Sequence, residues 1–181
     1  MYDGVRELRA WLRRPDLLRV ETPDGALLQV VRERNRRPDG LALDAPMYQD
    51  YFWIAMLDPV ELAGDVVVDD DVVEVEHFAR PAWEAVVRTT PAYEPRCGCC
   101  PLLRSLEVDV REYGPRSEHV LDVYPDAYRV RLDVGTGVCV FTGAIGGPEP
   151  GELHQLRIEA VDEPMDDGLF VEPRRGLFRR Q

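Results

Sequence analysis

Alternation of apolar and charged side chains is the feature that most narrows what this chain can fold into. Residues 128–133 place Tyr128, Val130 and Leu132 on one side of an extended backbone, and Arg129, Arg131 and Asp133 on the other. Successive side chains of a strand point to opposite faces, so this pattern predicts a sheet with one buried and one wet face. The same period of two recurs at Val73, Val75 and His77; at Trp83, Ala85 and Val87; at Leu106, Val108 and Val110; and at Leu156, Ile158 and Ala160. Half-wet strands of this kind belong to antiparallel sheets. The fold class expected is therefore mainly β, with a minor helical part (α+β). On this register Leu132→Asp buries a charge, whereas Arg131→Asp on the wet face is expected to be neutral.

Turn chemistry separates the strands. Pro23, Asp24 and Gly25 predict a hairpin between residues 17–22 and 26–33, and Gly135, Thr136 and Gly137 predict another between 128–133 and 138–143. Residues 146–151, rich in glycine and proline, read as a surface loop before a strand over 153–160. Asp58, Pro59 and Glu61 have the order of an N-cap, a first helical position and a third, with Gly64 as the stop. Residues 47–57 fit a helix less clearly. At the start, Val5, Leu8 and Leu12 fit a helix, while Leu8, Ala10 and Leu12 fit a strand. With no repeat and no low-complexity linker, a single domain over residues 1–181 is expected.

Charge limits the partners. There are 22 basic and 34 acidic residues, a net charge of −12, and every basic residue is Arg. Nucleic acid and anionic membranes demand a cationic surface, so neither is an expected partner. The absence of Lys removes Schiff-base and P-loop lysine chemistry. No apolar run reaches the roughly 18 to 20 residues of a membrane span. The opening residues lack an apolar signal core, which predicts a cytoplasmic protein; an upstream signal would instead place it in the cell envelope.

Two stretches could carry function. Cys97, Cys99 and Cys100 lie within four positions, with Cys139 far along the chain and single histidines at 77, 119 and 154. Structural zinc sites usually draw on two separated pairs of ligands, which this spacing does not supply. An extended backbone would point Cys97 and Cys99 one way and Cys100 the other, limiting the segment to two sulfur ligands. No metal or cofactor is expected on that basis; a metal, if held, would use Cys97, Cys99, Cys100 and Cys139. Packed thiols, a redox pair and a mixed Cys/His site all remain open. A catalytic thiol needs a base fixed beside it, and nothing in the sequence fixes one. Ser105 and Ser117 stand in no nucleophile elbow, so no catalytic residue is assigned. Acidic residues 69–71 lack the spacing of a calcium loop. The second stretch, "MYQDYFWIAM" over residues 47–56, concentrates apolar area. It is either core or the lining of a pocket formed by Tyr51, Phe52, Trp53 and Met56 with Val138, Val140 and Phe141.

The order of motifs resembles the LolA/LprG/RseB-like family. "LRAWLRRPDLLRVETPDGALLQVV" is similar to its strand, Arg-Pro and hairpin opening, and "MLDPVELAG" to the helix that follows. "ARPAWEAVVRTTP", "YRVRLDVGTGVCVFTGAIGG" and "LRIEAVDEPMDDGLFVEP" are similar to later strands, in the same order. The resemblance implies a strongly curved antiparallel half-barrel with one or two short helices in its concave face. It implies a strand over residues 5–13. It also implies a non-enzymatic bacterial protein holding a hydrophobic small molecule, acyl chain, lipid or lipidated protein partner. The family has no catalytic residue to carry over, and the cysteine segment with residues 104–120 is outside its pattern. The alternative reading is a cysteine-based metal- or redox-responsive regulatory protein.

Overall fold

A computed structural model describes residues 7–32, 45–69, 71–147 and 151–172. The chain divides into two compact units, one of residues 1–48 with 162–181 and one of residues 49–161. Both are built on antiparallel sheets, so the mainly β class read from the alternation holds.

The first unit carries a three-stranded meander of β1 (Arg9–Arg13), β2 (Leu17–Glu21) and β3 (Leu27–Val31). A strand thus takes the ambiguous opening stretch, while Val5 lies outside the described residues. Leu18 and Val20, two apart on β2, are fully buried, as the alternation requires. The β2–β3 turn uses Gly25 at φ +89, a conformation glycine adopts without strain, and the Ala26 N–H donates to the Thr22 hydroxyl at 2.9 Å. A 3₁₀ turn over Asp167–Phe170 returns to this meander. Arg13 lies over the Phe170 ring, and Arg19 donates to the Leu169 carbonyl at 2.9 Å.

The second unit holds β4 (Val66–Val68), β5 (Val73–His77), β6 (Arg80–Thr89), β7 (Ala127–Asp133), β8 (Cys139–Ile145) and β9 (Gly151–Gln155). The strand order is β4-β6-β7-β8-β9, and β5 also pairs with β6. Between β6 and β7, Trp83, Ala85 and Val87 oppose Leu132, Val130 and Tyr128, apolar against apolar on one face. Burial departs from the alternation at its end: Trp83 is exposed, Leu132 is only half-buried, and Asp133, expected on the wet face, is buried against Arg80. On the other face Glu84 opposes Arg131 in a 2.7 Å ion pair. At β8 the register passes from Leu132↔Cys139 to Arg131↔Phe141, leaving Val140 as the extra residue of a bulge. Cys139 and Val140 are both buried, with helix α1 (Phe52–Leu57) packed on this strand.

Three expectations from local sequence are corrected. Residues 106–110 are not a strand but the first part of helix α2 (Leu106–Tyr113). Ser105 caps it by accepting the Val108 N–H at 3.3 Å, and Glu107 and Asp109 in its first turn complement the dipole. Leu106 and Val110 consequently stand 51% and 48% exposed while Val108 is 2% exposed, so the alternation there had no sheet behind it. The helix expected from Asp58 to Gly64 is one 3₁₀ turn, Val60–Leu62. Asp58 instead ends α1, its N–H donating to the Ile54 carbonyl, because Pro59 keeps the residue before it out of the helical region. The last strand stops at Gln155 rather than reaching Ala160. Leu156 still donates to the Val140 carbonyl, but β8 then runs out into its own hairpin and offers no further partner.

Candidate functional site

β6 ends at Thr89 and α2 begins at Leu106, and the three clustered cysteines lie on the irregular segment between them. Pro91, Pro95 and Pro101 remove backbone donors there, so no ladder can hold it. Buried side chains hold it instead. Glu61, only 6% exposed, accepts from the Tyr93 hydroxyl at 2.8 Å and the Leu102 N–H at 2.7 Å on one carboxylate oxygen, and from the Arg96 N–H at 3.2 Å on the other. One carboxylate thereby ties down the chain on both sides of the cysteines. Tyr93 in turn accepts the Leu103 N–H at 3.3 Å. Burial and the adjacent Glu61 carboxylate push the Tyr93 phenol far above its ordinary pKa, so it stays a donor.

The outer side of the segment is braced from α2. Arg104 bonds Asp109 at 2.5 Å and donates to the Cys99 carbonyl at 3.0 Å, while the Tyr113 hydroxyl donates to the same carbonyl at 3.4 Å. Asp109 is fully buried and also accepts from the Tyr124 hydroxyl at 2.7 Å. Arg96 pairs with Asp58 at 2.5 Å, and Arg111 donates to the Tyr93 carbonyl. Gly98 lies so close to the Glu112 side chain that a β-carbon there would stand 2.6 Å from a carboxylate oxygen.

This bracing turns the segment so that all three sulfurs meet. Cys97 and Cys99 Sγ are 2.8 Å apart, Cys99 and Cys100 Sγ 3.6 Å apart, and all three lie within 4.8 Å of one another. The expectation that Cys100 faces away from the other two is overturned, because Gly98 and the turn at Cys99 make the backbone coil rather than extend. Cys100 is buried, Cys97 is half-buried and Cys99 is exposed, so the cluster has a floor and an open side. All four thiols of the chain are free. Burial alone would raise the Cys97 thiol, but hydrogen bonds from Cys99 and Cys100 more than offset that and hold it below its ordinary value. Cys99 is raised by its bond to Cys97 and by burial, and Cys100 is raised by burial and by both neighbours. The three thiols therefore titrate as one coupled group, in which each further negative charge is harder to add.

Cys139 does not join this group. It lies fully buried in β8, its thiol against the Phe141 carbonyl at 3.5 Å and its pKa pushed up to about 12 by burial. His154 bonds the Cys139 carbonyl and His77 the Leu156 carbonyl, each at 3.0 Å. Neither histidine belongs to the thiol group, and the His119 side chain lies outside the described residues.

The apolar stretch has a different fate. Met56, Val138 and Val140 are buried, and Tyr51, Phe52, Trp53 and Phe141 are partly exposed. Phe52 meets His154 edge-on at 5.5 Å, and Arg131 lies 4.9 Å over Phe141. Both faces of β8 are thus covered at least in part by protein. Glu61, Ser105 and Asp109 escaped sequence reasoning as parts of the site. Ser105 before an acidic first turn, with Gly114 closing the helix, was a legible signal for α2; nothing local marks Glu61 as buried. No family model, curated protein or solved structure matches this chain. Among the described residues no helix is long and apolar enough to cross a membrane.

Proposed function

We propose that this chain is a non-enzymatic, thiol-based responsive protein in which Cys97, Cys99 and Cys100 form a receptor for a thiophilic ion. One observation carries the reading: three sulfurs converge within 4.8 Å on a segment held by buried side chains rather than by a ladder. Thiolates are soft ligands, and a site whose donors are already gathered loses less conformational entropy on binding. The segment joins β6 to α2, so occupancy would stiffen the link between sheet and helix. The reading requires a reducing compartment, since oxidation would remove the thiols.

Cadmium is a suitable general probe, because thiolate coordination gives it an ultraviolet charge-transfer band. Reduced protein should take up one cadmium ion per chain, with that band appearing in step. Absence of uptake of cadmium and of every other thiophilic ion tried, by folded, reduced protein, would remove the proposal.

The competing reading is an apolar-ligand carrier of the LolA-like kind, with the expected half-barrel curvature. It draws support from the partly exposed Tyr51, Phe52 and Trp53 around α1. Native mass spectrometry of freshly purified protein separates the two: a co-purified lipid favours the carrier, a bound ion the thiol receptor.

A further inference from the structure

Among the described residues no fourth histidine, cysteine or carboxylate donor joins the three-thiol group. Tetrahedral zinc asks for four ligands at about 2.3 Å from sulfur, which sets neighbouring sulfurs about 3.8 Å apart. The sulfurs here, all within 4.8 Å of one another, already lie within reach of one ion. A three-coordinate, pyramidal centre is satisfied by three thiolates and needs no fourth ligand.

Charge points the same way. Of the guanidinium groups beside the segment, Arg96 is paired with Asp58 and Arg104 with Asp109, Arg111 is engaged with the Tyr93 carbonyl, and the Glu112 carboxylate lies against Gly98. Three thiolates around a monovalent ion leave two negative charges, and around a divalent ion one. Placing such charge on a half-buried, acidic site is costly without a free cation to answer it. Three thiolates around a trivalent centre leave none.

We propose that the ion this site takes is trivalent arsenic, bound as a neutral tris-thiolate through Cys97, Cys99 and Cys100; this rests on the thiol-receptor reading above. The step balances without an oxidant. Arsenous acid and three thiols give the tris-thiolate and three waters: three As–O and three S–H bonds break, and three As–S and three O–H bonds form. Arsenic stays trivalent and no proton is released to solvent. The exposed Cys99 and half-buried Cys97 give the acid access, and the buried Cys100 closes the pyramid from below.

The test uses full-length, reduced protein titrated anaerobically with arsenite, and in parallel with cadmium, zinc and copper(I), read by native mass spectrometry. The expected result is one adduct per chain, with the mass of one arsenic less three hydrogens, formed at lower concentration than the zinc or cadmium adducts. Cys99→Ser, at an exposed position that leaves the fold intact, should weaken arsenite binding at least tenfold, and Cys139→Ala should not change it. Tighter binding of cadmium, zinc or copper(I) through the same three cysteines would overturn the arsenic assignment and leave the thiol receptor standing. If none of the four ions binds protein whose circular dichroism is native, both fall. An arsenite adduct that loses two hydrogens rather than three, or that survives Cys99→Ser unweakened, would also overturn the assignment.

Discussion

Replacing Glu61 by Ala should loosen the cysteine segment and destabilise the second unit. Two donors, the Tyr93 hydroxyl and the Leu102 N–H, end on one oxygen of this carboxylate, and both are buried. Without it each loses its acceptor where water cannot replace it, at about 1–3 kcal/mol apiece, or about 2–6 kcal/mol together. The Arg96 N–H is only partly buried and can turn to water, so it adds little. Glu61→Gln keeps a carbonyl oxygen for the two buried donors and loses only the strengthening that charge provides, so it should cost about 1–2 kcal/mol. Against a total stability of about 5–15 kcal/mol, the Ala change is large and the Gln change modest. Urea unfolding of the parent and both variants reads this directly, as a shift of midpoint at constant slope. In the Glu61→Ala background, Tyr93→Phe should cost less than in the parent, because the hydroxyl it removes has already lost its acceptor. An Ala variant within about 0.5 kcal/mol of the parent, or a Gln variant as unstable as Ala, would refute the claim that this carboxylate anchors the segment.

Asp133 provides a pH-dependent counterpart. Its hydrogen bonds from Arg80 outweigh burial, and with those from Thr136 they hold its carboxyl below the usual range. The folded value thus lies below the unfolded one, so the stabilisation is full above about pH 5 and is lost as pH falls further. The stability gap between parent and Asp133→Asn should shrink from about pH 5 to pH 3; a gap constant over that range would contradict it. Ser105→Ala should cost about 1 kcal/mol through loss of the α2 cap, and an unchanged melting temperature would refute the capping role. Arg131→Asp should cost about 1–2 kcal/mol, not the near-neutral change that alternation alone implies. It removes the pair with Glu84 and the stacking over Phe141, then sets like charges opposite each other. A melting point equal to the parent's would restore the simple wet-face reading.

Part of this architecture is legible without coordinates. The faces of β6 and β7, the hairpins at Gly25 and Gly137 and the position of the cysteine segment past the end of β6 all follow from signals a few residues long. Those signals act through the backbone itself, by a period of two and by residues that favour turns. The same local logic failed at residues 106–110, where alternation was accidental and the Ser105 cap prevailed, and at Asp58, where Pro59 ended one helix instead of opening another.

Composition, the antiparallel class and the order of turns are thus properties of the sequence by itself, because each rests on near neighbours along the chain. Where the three thiols point is not such a property. It depends on Glu61 reaching Tyr93 and Leu102, respectively 32 and 41 residues away, and on Arg104 and Tyr113 holding the Cys99 carbonyl. Neither the burial of a carboxylate nor the partner it finds is encoded in its neighbours, since both come from the space that distant segments enclose. An extended C-x-C-C would have split its sulfurs between two sides; tertiary bracing coiled it and brought them together.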